Sequence, residues 1–134
     1  MNSPFSGHKV LVVEDEMLVA WLLEDMLVDL GCVVIGPAGK VNQALAMIED
    51  NAIDVAVLDV NLAGEMSYPI ADALVACGVP FVFVTAYDKD RMLDGYRAFP
   101  MLQKPFHRAE LRATLARLLT PKEPTVEPAP AGGR

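Results

Sequence analysis

Four short apolar runs constrain this chain more than any other feature: Val10-Leu11-Val12-Val13, Cys32-Val33-Val34-Ile35, Val55-Ala56-Val57-Leu58 and Phe81-Val82-Phe83-Val84. Each is continuous rather than alternating, the pattern of a strand covered on both faces, as in a parallel sheet between helices. A weaker fifth run, residues 99–102, contains Pro100, which cannot donate to a ladder and therefore suits an edge strand.

Helical spacing fills the gaps. Between Glu16 and Leu30, the residues Val19, Leu22, Leu23, Met26, Leu27 and Leu30 form one apolar stripe; Glu24, Asp25 and Asp29 lie outside it and Gly31 ends it. Val41, Ala44, Leu45 and Ile48 repeat the spacing in a second helix. A third runs from Pro69, a favoured first-turn residue, to Cys77, and Gly78 stops it. A short fourth falls within Asp88 to Arg97. The fifth turns Leu111, Leu115 and Leu118 inward and Arg108 and Arg112 outward. Five strand–helix alternations predict parallel strands joined by right-handed crossovers, a doubly wound α/β domain over residues 8–119. Residues 1–7 read as an N-terminal extension. Residues 120–134, rich in Pro and Gly with almost nothing to bury, read as a disordered tail.

Composition removes several function classes. The 134 residues are 53% hydrophobic and 22% charged, which suits one globular domain. No apolar run approaches the ~20 residues a membrane span needs, and the N-terminus lacks a secretory pattern, so a cytoplasmic protein is expected. A formal net charge of −7 repels phosphate backbones, arguing against a nucleic-acid partner and for proteins and a cation. Cys32 and Cys77 lack metal-ligand spacing and read as reduced thiols.

In open parallel sheets, ligands bind beyond the carboxyl ends of the strands. Here the first strand ends in Glu14 and Asp15, the third in Asp59 and the fourth in Thr85, while the fifth leads into Lys104. Singly, each has an ordinary structural reading: a helix-capping Asp59, a solvated acid pair at a helix start, a strand threonine, a surface lysine. Jointly they place three acids, a hydroxyl and an ammonium on one rim. Two carboxylates about 4 Å apart repel by roughly 4 kcal/mol at a surface-like dielectric, so such a rim should take a hard divalent cation. An aspartate beside that ion can act as nucleophile toward a phosphoryl group, with Lys104 and Thr85 compensating charge on its oxygens. Ala86 is small enough to leave the site open.

With Val-Val-Glu-Asp-Glu at 12–16, Val-Leu-Asp-Val-Asn at 57–61, Val-Thr-Ala at 84–86 and Lys-Pro-Phe at 104–106, the chain resembles the receiver domain of two-component response regulators, over roughly Lys9 to Leu119. The resemblance implies a flavodoxin-like (CheY-like) fold with strand order 2-1-3-4-5. It also implies a phosphoryl donor, either a sensor histidine kinase or a histidine phosphotransfer protein. Asp59 would be the phosphoacceptor. Asp15 and Glu14 would hold magnesium, for which manganese can substitute, together with Asp59 and the backbone carbonyl of Asn61. Thr85 would be the switch hydroxyl and Lys104 the phosphate-binding lysine, aimed inward by a cis Lys104-Pro105 bond. Activity would be limited to self-phosphotransfer and autodephosphorylation, in a monomer or weak homodimer that acts on an unidentified downstream protein. The alternatives are a receiver-fold interaction module without phosphorylation, and a phosphatase with an Asp nucleophile. The phosphatase would need a second acid where Asn61 stands.

Three departures concern the readout rather than the chemistry. Receivers usually carry Tyr or Phe three residues before the lysine, where this chain has Met101. The interval from Thr85 to Lys104 is short, and Asp59 is followed by Val-Asn-Leu-Ala-Gly instead of a form with Met-Pro. Residues 80–87 resemble a subgroup of single-domain alphaproteobacterial receivers with a Phe-Ala-Thr-Gly-like motif, with Ala86 in the glycine position. Tyr87 is a candidate replacement aromatic, beside the plainer reading of a packed loop residue. Trp21 reads as a helix-surface residue, and His8 and His107 as solvated positions.

Overall fold

The computed structural model describes residues 4–86 and 92–119. Along the chain run β1 (Lys9–Val13), α1 (Met17–Asp29), β2 (Val33–Ala38), α2 (Val41–Asp50), β3 (Val55–Asp59), β4 (Asn61–Leu62), β5 (Glu65–Met66), α3 (Tyr68–Ala76), β6 (Phe81–Thr85), a 3-10 turn (Asp94–Tyr96), β7 (Met101–Gln103) and α4 (Arg108–Leu119). Five strands form one parallel sheet in the order β2-β1-β3-β6-β7, the expected flavodoxin-like 2-1-3-4-5 arrangement. β7 lies at the edge and begins just after Pro100, whose carbonyl accepts the Phe83 N–H at 2.9 Å.

Successive strand residues face opposite ways, so each apolar run feeds two cores. Leu11, Val13, Ala56, Leu58, Phe81 and Phe83 pack with α2 and α3. Val10, Val12, Val55, Val57, Val82 and Val84 pack with α1 and α4. The N-terminal segment adds Phe5, only 1% exposed, to this second core, where the Arg112 guanidinium lies over its ring. Gly31, at φ +94°, turns the chain out of α1 as expected.

Several expectations are corrected. The buried line of α1 is Ala20, Leu23 and Leu27, whereas Leu22 is 59% exposed; the apolar stripe is wider than the contact it makes. A two-stranded hairpin, β4–β5, follows Asp59, turning through Ala63 (φ 54°) and Gly64 (φ 95°). Of the proposed fourth helix, residues 92–97 contain only the 3-10 turn, and its first part, with Tyr87, lies outside the described residues. The tail at 120–134 also lies outside them. His8 is half-buried rather than solvated, and its Nδ1 has no hydrogen-bond partner among the described residues. His107 is exposed and immediately precedes α4, its N–H donating to Glu110 Oε1 at 2.8 Å. Cys32 is buried, which pushes its thiol up, and Cys77 is exposed. No helix among the described residues is long and apolar enough to cross a membrane.

Candidate functional site

The sheet brings the predicted residues to one edge. Glu14 follows β1 and is 3% exposed. Its N–H donates to the Ala38 carbonyl at 2.9 Å, across a register shift in β2 that skips Gly36-Pro37. One Glu14 carboxylate oxygen accepts the Glu16 N–H at 3.1 Å. Asp15, next along, is exposed at the mouth of the cleft. Asp59 ends β3 and is nearly buried; its Oδ1 accepts the Asn61 N–H at 3.3 Å instead of capping a helix. Glu14, Asp15 and Asp59 each offer an oxygen within 4.8 Å of the others.

Thr85 closes β6 and is buried, and its carbonyl accepts the Lys104 N–H at 2.8 Å. That bond docks the end of β7 onto the end of β6. Lys104-Pro105 is cis, as expected. Lys104 Nζ lies 3.1 Å from Glu14 Oε1, 3.4 Å from Asp59 Oδ2 and 3.9 Å from Glu16 Oε1. Asp59, Asn61, Thr85, Ala86 and Lys104 line a cleft of about 280 Å³ with Asp15. Three lining residues were not anticipated: Glu16, Ala63 and Gly64. Glu16 was visible in the Glu-Asp-Glu run, but Ala63 and Gly64 reach the rim only through the hairpin, where the Gly64 N–H donates to Asn61 Oδ1 at 2.7 Å.

The charges are unbalanced. Burial, and then the charge of Asp59, hold the Glu14 carboxyl above its ordinary range, although the Glu16 N–H and Lys104 pull the other way. Burial alone would lower Lys104, but Asp59 and Glu14 outweigh it and raise its pKa, so the side chain is an ammonium at neutral pH. One ammonium faces three converging carboxylates, so the donor set is all oxygen and carries excess negative charge. That fits a hard divalent cation which keeps part of its water shell.

Met101 is half-buried in the core beside α3. The aromatics there are Tyr68, Phe81, Phe83, Tyr96 and Phe99, a cluster spanning α3, β6 and the segment before β7. Trp21 is 55% exposed on α1.

A doubly wound parallel sheet with an acid-rimmed cleft at its carboxyl edge is the architecture of the flavodoxin-like class of switch and binding domains. The family model for the response regulator receiver domain matches residues 10–116, and the chain belongs to that family. A structure of SdrG from Sphingomonas melonis Fr1 is 45% identical, with a TM-score of 0.76, covering 85% of this chain and 98% of that one. The phyllosphere-induced regulator PhyR of Methylorubrum extorquens is 34% identical over 116 residues, 83% of this chain and 43% of PhyR. The receiver domain of the sensor histidine kinase PA1611 from Pseudomonas aeruginosa, solved with a magnesium ion in its active-site cleft, is 29% identical with a TM-score of 0.74. That match covers 85% of this chain and 98% of that domain. The chain spans 43% to 53% of the length of the curated relatives it matches.

Proposed function

We propose that this receiver domain takes a phosphoryl group onto Asp59 from a phosphohistidine, carried by a sensor histidine kinase or a histidine phosphotransfer protein, and signals by its changed surface or by passing the group on. The observation that carries this reading is the convergence of Lys104 Nζ, 3.4 Å from Asp59, with three carboxylates within 4.8 Å of one another. Glu14, Asp15, Asp59 and the Asn61 carbonyl would hold magnesium, or manganese in its place. When bound, the ion neutralises the carboxylates and the charge on the phosphoryl oxygens.

The chain's own groups do the rest. An Asp59 carboxylate oxygen attacks phosphorus; the P–N bond to the donor imidazole breaks, its electron pair stays on nitrogen, and a P–O bond forms. Lys104, now on Glu14 and Asp59, turns to the transferred group, and the Thr85 hydroxyl donates to another of its oxygens. Ala86 leaves the approach open. The donor's route is supported by a groove of about 350 Å³ beside the cleft, walled by Val19, Leu22, Met26, Pro105 and Phe106. Met17, Leu18 and Trp21 are further exposed apolar residues of α1. An amphipathic helix bearing the phosphohistidine would cover this apolar face.

No turnover of other substrates is expected, and the acidic chain disfavours nucleic acid. Incubation with acetyl phosphate and magnesium, read by intact mass, should give an alkali-labile phosphoryl adduct that EDTA prevents. An adduct that persists in Asp59→Asn would move the acceptor elsewhere; steady hydrolysis of phosphate esters would favour a phosphatase.

A further inference from the structure

Residues 92–100, ahead of β7, form a strap held against α3. Its buried end is Met92, 3% exposed. The next N–H, of Leu93, donates to Tyr68 Oη at 3.3 Å. The Tyr96 ring stacks on Tyr68 with centroids 4.3 Å apart and planes at 28°, and its hydroxyl donates to Asp72 Oδ1 at 2.8 Å. Tyr68 in turn meets Phe83 edge-on at 6.0 Å, and Phe83 lies on the same side of β6 as Thr85, two residues away. The strap's far end, Phe99, packs on Phe81 at 4.8 Å and leads through Pro100 into β7 and Lys104. Asp72 and Tyr96 take no part in the cleft.

The strap is therefore packed through Tyr68 on Phe83 of β6, and continues through Phe99 and Pro100 into β7, so a shift of Thr85 or Lys104 toward a bound phosphoryl group would pull on it. The hydrogen bond from Tyr96 to Asp72 ties its middle to α3 and opposes that movement. We infer that Tyr96 and Asp72 form a releasable clasp, which holds the strap in the unphosphorylated state and opens when Thr85 and Lys104 close on the group. This rests on the phosphoacceptor reading of Asp59. By linkage, a contact made only in the open state weakens binding in the closed one, and removing it strengthens that binding by the same factor.

Tyr96→Phe keeps the ring stack and removes the hydroxyl; Asp72→Asn keeps the shape and removes the charge. With magnesium present, each should bind beryllofluoride, a phosphoryl analogue, about three- to tenfold more tightly than wild type, the range expected for one hydrogen bond. The double variant should gain no more than the better single one. Without any ligand, Tyr96→Phe should speed amide hydrogen exchange at Leu93 and Tyr96. Unchanged or weaker beryllofluoride binding, or unchanged exchange, would overturn the clasp while leaving the phosphoacceptor reading intact. Wild type that neither binds beryllofluoride nor forms an Asp59 adduct would remove that reading, and the clasp with it.

Discussion

Glu14 is the residue at which the site's electrostatics are most exposed to test. A carboxyl whose folded-state pKa is raised favours the native state while protonated, below its ordinary 4.5. That contribution is lost as pH rises through the raised value. Metal-free wild type should accordingly lose stability through this group over the pH window that opens at 4.5 and ends above the raised value. Glu14→Gln carries no charge there, and Lys104 keeps Asp59 as partner. Urea denaturation in EDTA should show a flatter pH dependence for the variant over that window; a steeper one would contradict the assignment. The same variant should need about tenfold or more magnesium for equal phosphorylation, the usual scale for losing a ligand or its support.

At the scale of elements, the β2 bulge aims β1 at the site. Gly36 has φ +102°, and a Cβ there would lie 2.9 Å from both the Ala38 nitrogen and the Val12 carbonyl oxygen. Gly36→Ala should cost about 2 kcal/mol or more and, by shifting Ala38, loosen Glu14 and weaken the magnesium response. Gly64→Ala, at φ +95° but with open space around it, should cost only about 1 kcal/mol. Thermal melts with and without magnesium compare the two. The main strands were legible because five apolar runs carry their own signal, and the site because strand ends in a parallel sheet share one edge. The bulge was not legible because Gly36-Pro37, directly after the apolar run, reads equally as the end of the strand and as an insertion inside it. Nor was β4–β5, whose strands are two residues each and whose turn places Ala63 at positive φ. Leu22 misled because the α1 face is apolar beyond what it buries. The Tyr68–Tyr96 stack joins residues far apart in sequence, and no periodicity reports such a pair.

For the whole molecule, the proposed cation site would link binding and folding through the same carboxylates. A bound cation would relieve the repulsion among Glu14, Asp15 and Asp59. A ligand that binds only the native state at 100 times its Kd adds about 2.7 kcal/mol. Saturating magnesium should therefore raise the denaturation midpoint clearly, and the gain should shrink in Asp15→Asn. An equal gain in both proteins would place the cation elsewhere. The cleft lies between the apolar α1 groove and the strap against α3, so in the proposed reading donor arrival and readout would occupy opposite sides of Asp59. The central claim remains the acceptor itself. Borohydride reduction of the acetyl phosphate-treated protein, followed by peptide sequencing, converts an acyl-phosphorylated aspartate to homoserine. The conversion should fall on Asp59 alone and require magnesium; homoserine at another aspartate, or none at all, would contradict the account.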